Sequence, residues 1–310
     1  MSEPRDFLNT GGLDADKLEL FEYLLEEEGV DGAAQPDIIL PREKREQLPL
    51  SFAQQRLWFL DQLEPGNVAY NVAGALRIVG QLDVAALGRS LNEIVRRHES
   101  LRTSFAVIDG LPAQVIAQSC HLALSVEELT TKPIEEREAQ VKLLMQEEVL
   151  TPFDFRESPL MRARLLRLSE EEHVLLLTMH HIISDGWSIG VLIRELAALY
   201  EAYTRGKASP LEELAVQYAD YSLWQREHLS GELLEQQLSY WRQQLSGDLP
   251  VLDLPMQSAR PSVQTFRAAT QTLILPEKLH EELKELSLKE DATLYMTLLA
   301  AFYVLLYRYT

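Results

Sequence analysis

Thr178-Met179-His180-His181-Ile182-Ile183-Ser184-Asp185-Gly186-Trp187-Ser188 decides how the chain is read, because residues able to do chemistry crowd together there. Ahead of it, residues 174–179 are apolar and free of Gly and Pro, which predicts a fully buried strand. Behind it, residues 189–200 carry apolar side chains at helical spacing. The two histidines therefore sit where a core strand gives way to a helix, a place where α/β architectures put functional groups. Neighbours on a strand point to opposite faces, so one imidazole is expected to face a cavity and the other to pack behind it. Two satisfied core histidines is the bland alternative. The turn that follows weighs against it: Asp185 can organise a loop beneath an imidazole, and Gly186 permits tight backbone geometry there. A neutral imidazole is the side chain best suited to accept a proton near neutral pH. Adjacent histidines cannot both ligate one metal, and seven His with a single Cys form no ligand cluster, so no metal site is expected.

Working outward, 310 residues with 46% apolar side chains can bury a sizeable ordered core, in two domains by length. Lys and Arg total 29 against 48 acids, a net charge of −19. That field repels phosphate backbones and anionic lipid, so no nucleic-acid and no membrane partner is expected. Cys120 is the sole cysteine, which rules out an intramolecular disulfide and suits a reducing compartment. The first residues lack the basic and apolar regions of a signal peptide. The apolar run 294–307 falls short of the roughly 20 residues a membrane span needs. A cytoplasmic location is expected.

Residues 1–47 read as an N-terminal helix plus linker, either a docking segment for another polypeptide or a solvated extension resting on its own domain. The helix is capped by Asp14 or Asp16 and ends at Gly29. From Leu48 the pattern predicts a helix opening at Ser51, a strand over 72–79, and a helix from Asp83 ending on Arg96-Arg97-His98, cations that suit its dipole. A hairpin around Asp109-Gly110 follows, then a helix over 132–149 and a strand over 159–168 that pairs with the His-bearing strand. Tyr218 opens a helix expected to continue through Trp241; 247–261 reads as an interlobe connection, 270–275 as a strand, and Pro276 and Thr293 as helix starts. The last helix is apolar nearly all round and should be covered on most sides.

Together these segments resemble the condensation domain of nonribosomal peptide synthetases. Ser51-Phe52-Ala53-Gln54-Gln55-Arg56-Leu57-Trp58-Phe59-Leu60 is similar to the family's first motif, Arg97-His98-Glu99-Ser100-Leu101-Arg102-Thr103-Ser104-Phe105 to its second, Met179 to Ser188 to its third, and Tyr218 to Trp224 to its fourth. The wording around the His pair looks more like the subtype that joins two L-configured residues. The resemblance implies an α/β (α+β two-layer) fold, with one chloramphenicol-acetyltransferase-like lobe complete and a second only begun. On that basis 48–245 is the N-terminal lobe and 246–310 the opening of the C-terminal lobe, an apparent truncation.

The resemblance also implies an activity: amide-bond formation between an acyl or peptidyl thioester on an upstream carrier protein and the α-amine of an aminoacyl group on a downstream one. Substrates arrive on 4′-phosphopantetheine arms and no cofactor is bound directly. An adjacent adenylation domain completes the expected partners. Carried over, His181 is the catalytic residue facing the tunnel, His180 and Asp185 hold the loop, and Gly186 offers its N–H to the oxyanion or substrate. Trp187 and Ser188 fall to substrate binding, and Arg56, Arg102, Tyr218 and Asp220 to the structural frame of the motifs. In relatives the third-motif Asp pairs with a later arginine, which this chain does not reach. Carriers of this kind are acidic like the chain itself, so docking is expected through local patches such as Arg162, Arg164 and Arg167. Two alternatives stand beside this: an acyltransferase of the same superfamily that uses coenzyme A, and an incompetent fragment acting only as a docking module.

Overall fold

The structure, a computed structural model, describes residues 38–43, 47–252, 254 and 271–310. The helix expected near the N-terminus lies outside the described residues, as does most of the connection expected at 247–261. The chain divides into two compact units, Met1–Ser230 and Gly231–Thr310.

The first unit is built on a four-stranded sheet of order β2-β7-β6-β5, formed by β2 (Asn71–Val79), β5 (Leu124–Glu128), β6 (Met161–Ser169) and β7 (Glu172–His180). β7 is central, antiparallel to β2 on one side and β6 on the other, and every residue from His173 to His180 is buried. That burial explains its unbroken apolar run. Its odd-numbered side chains, Leu175, Leu177 and Met179, join Leu165 of β6 in a core with two helices, α2 (Val84–Arg97) and α4 (Gly186–Thr204). Its even-numbered ones, Val174 and Leu176, face Val141 and Leu144 of α3 (Ile134–Leu150). The mixed α/β reading therefore holds, with helices packed on a sheet whose central strand delivers the His pair.

A smaller sheet of order β1-β4-β3 comprises β1 (Leu48–Pro49), β3 (Thr103–Ile108) and β4 (Leu111–Ile116). Its hairpin turns through Asp109 and Gly110, both at positive φ (51° and 80°), the two-residue geometry that matches strand twist. Leu48 packs on Ala219 and Leu223 of α5 (Tyr218–His228). Beside it runs α1 (Phe52–Leu63), capped by Ser51, whose Oγ accepts from the Gln54 N–H while the Gln54 side chain takes the Ser51 N–H.

Three elements differ from what periodicity predicts. The helix expected through Trp241 is two, α5 and α6 (Gly231–Gln244), because Gly231 adopts φ 55°, a left-handed turn that a glycine takes without a Cβ clash. Residues 271–275 are not a strand, and Leu273 and Ile274 are exposed. β5, which pairs parallel to β6, is too short and too polar to announce itself.

In the second unit, α7 (Glu277–Lys289) and α8 (Leu294–Tyr309) meet through a Ser287–Thr297 hydroxyl pair at 2.7 Å. α8 stands without the cover that its apolar circumference calls for: Tyr295, Tyr303 and Tyr307 are exposed. Among the described residues no single helix is long and apolar enough to cross a membrane.

Candidate active site

The His pair splits as β7 ends. The His180 N–H donates to the Leu160 carbonyl (3.0 Å) and the His181 N–H to that of Tyr70 (2.9 Å), so backbone bonds from both neighbouring segments hold the junction. His180 is buried, its ring against the edge of Phe155 (centroids 4.6 Å apart) and near Phe153 and Tyr70. Its Nδ1 accepts the Ile182 N–H at 3.1 Å. Burial, aided by the neighbouring His181, pushes its pKa down to about 4. His180 is thus a neutral packing and hydrogen-bonding residue.

His181 turns the other way and is exposed. Its Nδ1 lies 2.6 Å from the Ser184 carbonyl oxygen. A carbonyl only accepts, so Nδ1 carries the proton and the neutral ring keeps its lone pair on Nε2. A ring oriented in this way is suited to accepting a proton at Nε2. His181 lines a cavity of about 420 Å³ together with Arg56, Tyr70, Ser100, Asp185 and Tyr218.

Asp185 is the N-cap of α4. Its Oδ1 accepts from the Ser188 N–H (2.8 Å) and hydroxyl (2.6 Å), while its own N–H donates to the Ser188 Oγ at 3.3 Å. The Ser188 bonds hold its carboxyl below the usual carboxylate range. Ser188, expected to bind substrate, spends its hydroxyl on this capping box. Trp187 is 83% exposed. Gly186 does not serve the tight turn expected of it: it lies in helix outside the left-handed region, and a Cβ there would meet nothing within 4 Å.

The motif residues expected to form a frame have distinct partners. The Tyr218 hydroxyl meets the Ser51 Oγ at 3.0 Å, and burial raises its pKa, so it stays protonated. Asp220, buried, accepts from the Gln217 N–H (2.7 Å) and from the Arg42 guanidinium (2.7 Å), which also reaches Glu99 (2.7 Å). Arg102 donates to the Ala117 and Arg96 carbonyls. Arg56 differs from these, for among the described residues its side chain makes no hydrogen bond or ion pair, and it lines the His181 cavity instead.

Sequence reasoning passed over Gln54 and Arg42. The Gln54 amide donates to Gln114 (3.3 Å) and to the Ile182 carbonyl (3.5 Å), tying α1 to the histidine loop. The Ser-x-x-Gln spacing that signals a capping box marked Gln54; Arg42, in the stretch assigned to the linker, had no local signal. The arginines expected as a docking patch are already paired: Arg162 with Glu148 (3.1 Å), Arg164 with Glu127, and Arg167 with Glu128 (2.9 Å).

Residues 44–310 match the family model described as Condensation domain, and the chain belongs to that family. It is 51% identical over 272 residues to one of the linear gramicidin synthase proteins of Brevibacillus parabrevis, an alignment covering 88% of this chain and 5% of that protein. It therefore spans a small part of the length of this curated relative. Among solved structures, the X-domain of teicoplanin biosynthesis, captured in a complex with OxyB, is 33% identical with a TM-score of 0.74, over 90% of this chain and 60% of that one. The first condensation domain of the CDA synthetase shares the fold, with a TM-score of 0.70 at 22% identity, over 86% of this chain and 63% of that one.

Proposed function

We propose that the chain is a catalytic part of a peptide synthetase and forms an amide bond between two carrier-bound substrates. The α-amine of an aminoacyl group on a downstream carrier attacks the thioester carbonyl of an acyl or peptidyl group on an upstream carrier. The C–N bond forms, the C–S bond breaks, and the pantetheine sulfur leaves and takes up the proton lost by the amine. His181 accepts that proton at Nε2 and hands it on to the leaving sulfur, with Gly186 offering its N–H to the developing oxyanion; His180 and Asp185 hold the loop. The observation that carries this reading is the His181 Nδ1 bond to Ser184 on the wall of the cavity. Fixing two tethered substrates supplies roughly 7–11 kcal/mol, more than the factor of about 10²–10⁴ expected of a general base. Positioning therefore carries most of the acceleration. Carriers on both sides, a neighbouring adenylation domain and a cytoplasmic setting belong to this reading, as does the division into an N-terminal lobe at 48–245 and the opening of a second at 246–310.

The test supplies loaded upstream and downstream carriers and follows the dipeptidyl thioester by mass spectrometry. His181→Ala is expected to slow its formation by about 100-fold. An unchanged rate removes His181 from the chemistry. A second reading, recruitment of a partner protein without turnover, draws on the likeness to the X-domain, which was solved bound to OxyB. Product from the wild-type chain excludes it as the sole role.

A further inference from the structure

A second cavity, of about 710 Å³, adjoins the one that holds His181, and Ser100, Ile183, Ser184, Ser188 and Tyr218 line both. It opens between α2, α4 and the segment leading into α5. Its walls include Ile94, Met179, Val191, Leu192, Leu214 and Val216. Volume and apolar lining both fall in the range of small-molecule sites. The two cavities differ in charge. The His181 cavity carries Arg56 and Asp185, whereas among the described residues no Asp, Glu, Lys or Arg lines the second. His98, which does line it, has its Nε2 engaged by Glu195 at 2.8 Å. An ionised side chain entering this space finds no counter-charge and loses its water, which is costly. An apolar one gains by leaving water.

Resting on the function proposed above, we infer that this second cavity receives the side chain of the pantetheine-tethered residue whose reacting group meets His181, and that it selects bulky, uncharged apolar side chains. Continuity through five shared residues places the selecting walls next to the reacting atoms. Val216, 39% exposed on the bend before α5, stands where its side chain controls the free volume.

Titration of the full chain with aminoacyl-pantetheine amides bearing glycyl, alanyl, leucyl, phenylalanyl and aspartyl groups tests this, read by calorimetry or ligand-observed NMR. Affinity is expected to rise at least about tenfold from glycyl to leucyl, since each buried methylene is worth roughly fourfold. The aspartyl compound should bind no better than the glycyl one. Val216→Trp, checked for folding by circular dichroism, should flatten the series by bringing the leucyl compound down to the glycyl level. If that variant does not fold, the wild-type series alone decides. Affinities independent of the side chain overturn this inference and leave the proposed reaction standing. Absence of binding by every compound overturns both.

Discussion

His180 is held neutral by burial among Phe153, Phe155 and Tyr70, and that has a consequence for pH. Unfolded, its ring takes a proton near 6.5; folded, only near 4. Unfolding between those values binds a proton, so stability from this group is fully present above about pH 6.5 and declines as pH falls towards 4, by on the order of 3 kcal/mol. Burial lowers the pKa of His173 as well and adds to the same trend. Asp185, whose pKa lies below the ordinary carboxylate value, contributes its loss only in more acid solution. Denaturant melts at a series of pH values should show stability rising from pH 4 to 6.5, with a shallower rise in His180→Phe. An equal slope in the variant would assign the effect elsewhere. Gly186 offers a separate experiment. A Cβ there meets no neighbour, and Ala is a better helix former than Gly, so Gly186→Ala should leave the melting temperature equal or higher. A fall in condensation rate in that variant would then report on the reaction and not on the fold. The opposite facing of the two rings was legible from strand alternation alone. The reason for the glycine was not, because backbone freedom is only one of the uses a missing Cβ has.

Elements with strong periodicity were legible, and their limits lie where a single residue overrides the pattern. The Asp83 cap and the cationic end of α2 stand as the sequence indicates, and so does the Asp109-Gly110 turn. The long helix after Tyr218 misleads because its apolar spacing runs on past Gly231, whose φ of 55° breaks it. The expected strand near 270–275 fails for another reason: β-rich composition makes a strand only where a partner edge is present, and among the described residues none pairs with it. Gln54 shows what local patterns conceal. It caps α1 and also reaches β4 at Gln114 and the histidine loop at Ile182, so one amide links three elements. Replacing it with Leu leaves buried polar groups without partners and should cost about 1–3 kcal/mol. Urea unfolding measures this, and a loss under about 0.5 kcal/mol, the level of an ordinary surface change, would show that the network is dispensable.

For the whole molecule, a net charge of −19 coexists with arginines most of which, among the described residues, have acidic partners, so the basic residues serve the fold before they serve any encounter. The surface that stands out is apolar. α8 exposes Tyr303, Val304, Leu305 and Tyr307 along one length of helix, the sort of contiguous patch that drives association. Sedimentation velocity of the chain should show concentration-dependent self-association, reduced in a Tyr303→Lys, Tyr307→Lys double variant. A monodisperse monomer at all concentrations would refute this. Arg42 bears on how such a chain is made. It is synthesised 178 residues before Asp220, to which it is bonded. β2 is likewise finished long before β7, which supplies every pairing it has in the sheet. At about 5–20 residues per second, the nascent chain carries an unpaired apolar strand for roughly 5–20 seconds. The clasp at Arg42 then closes over a sheet already complete, and Arg226, made later still, ties Leu50 and Gln55 to the same helix.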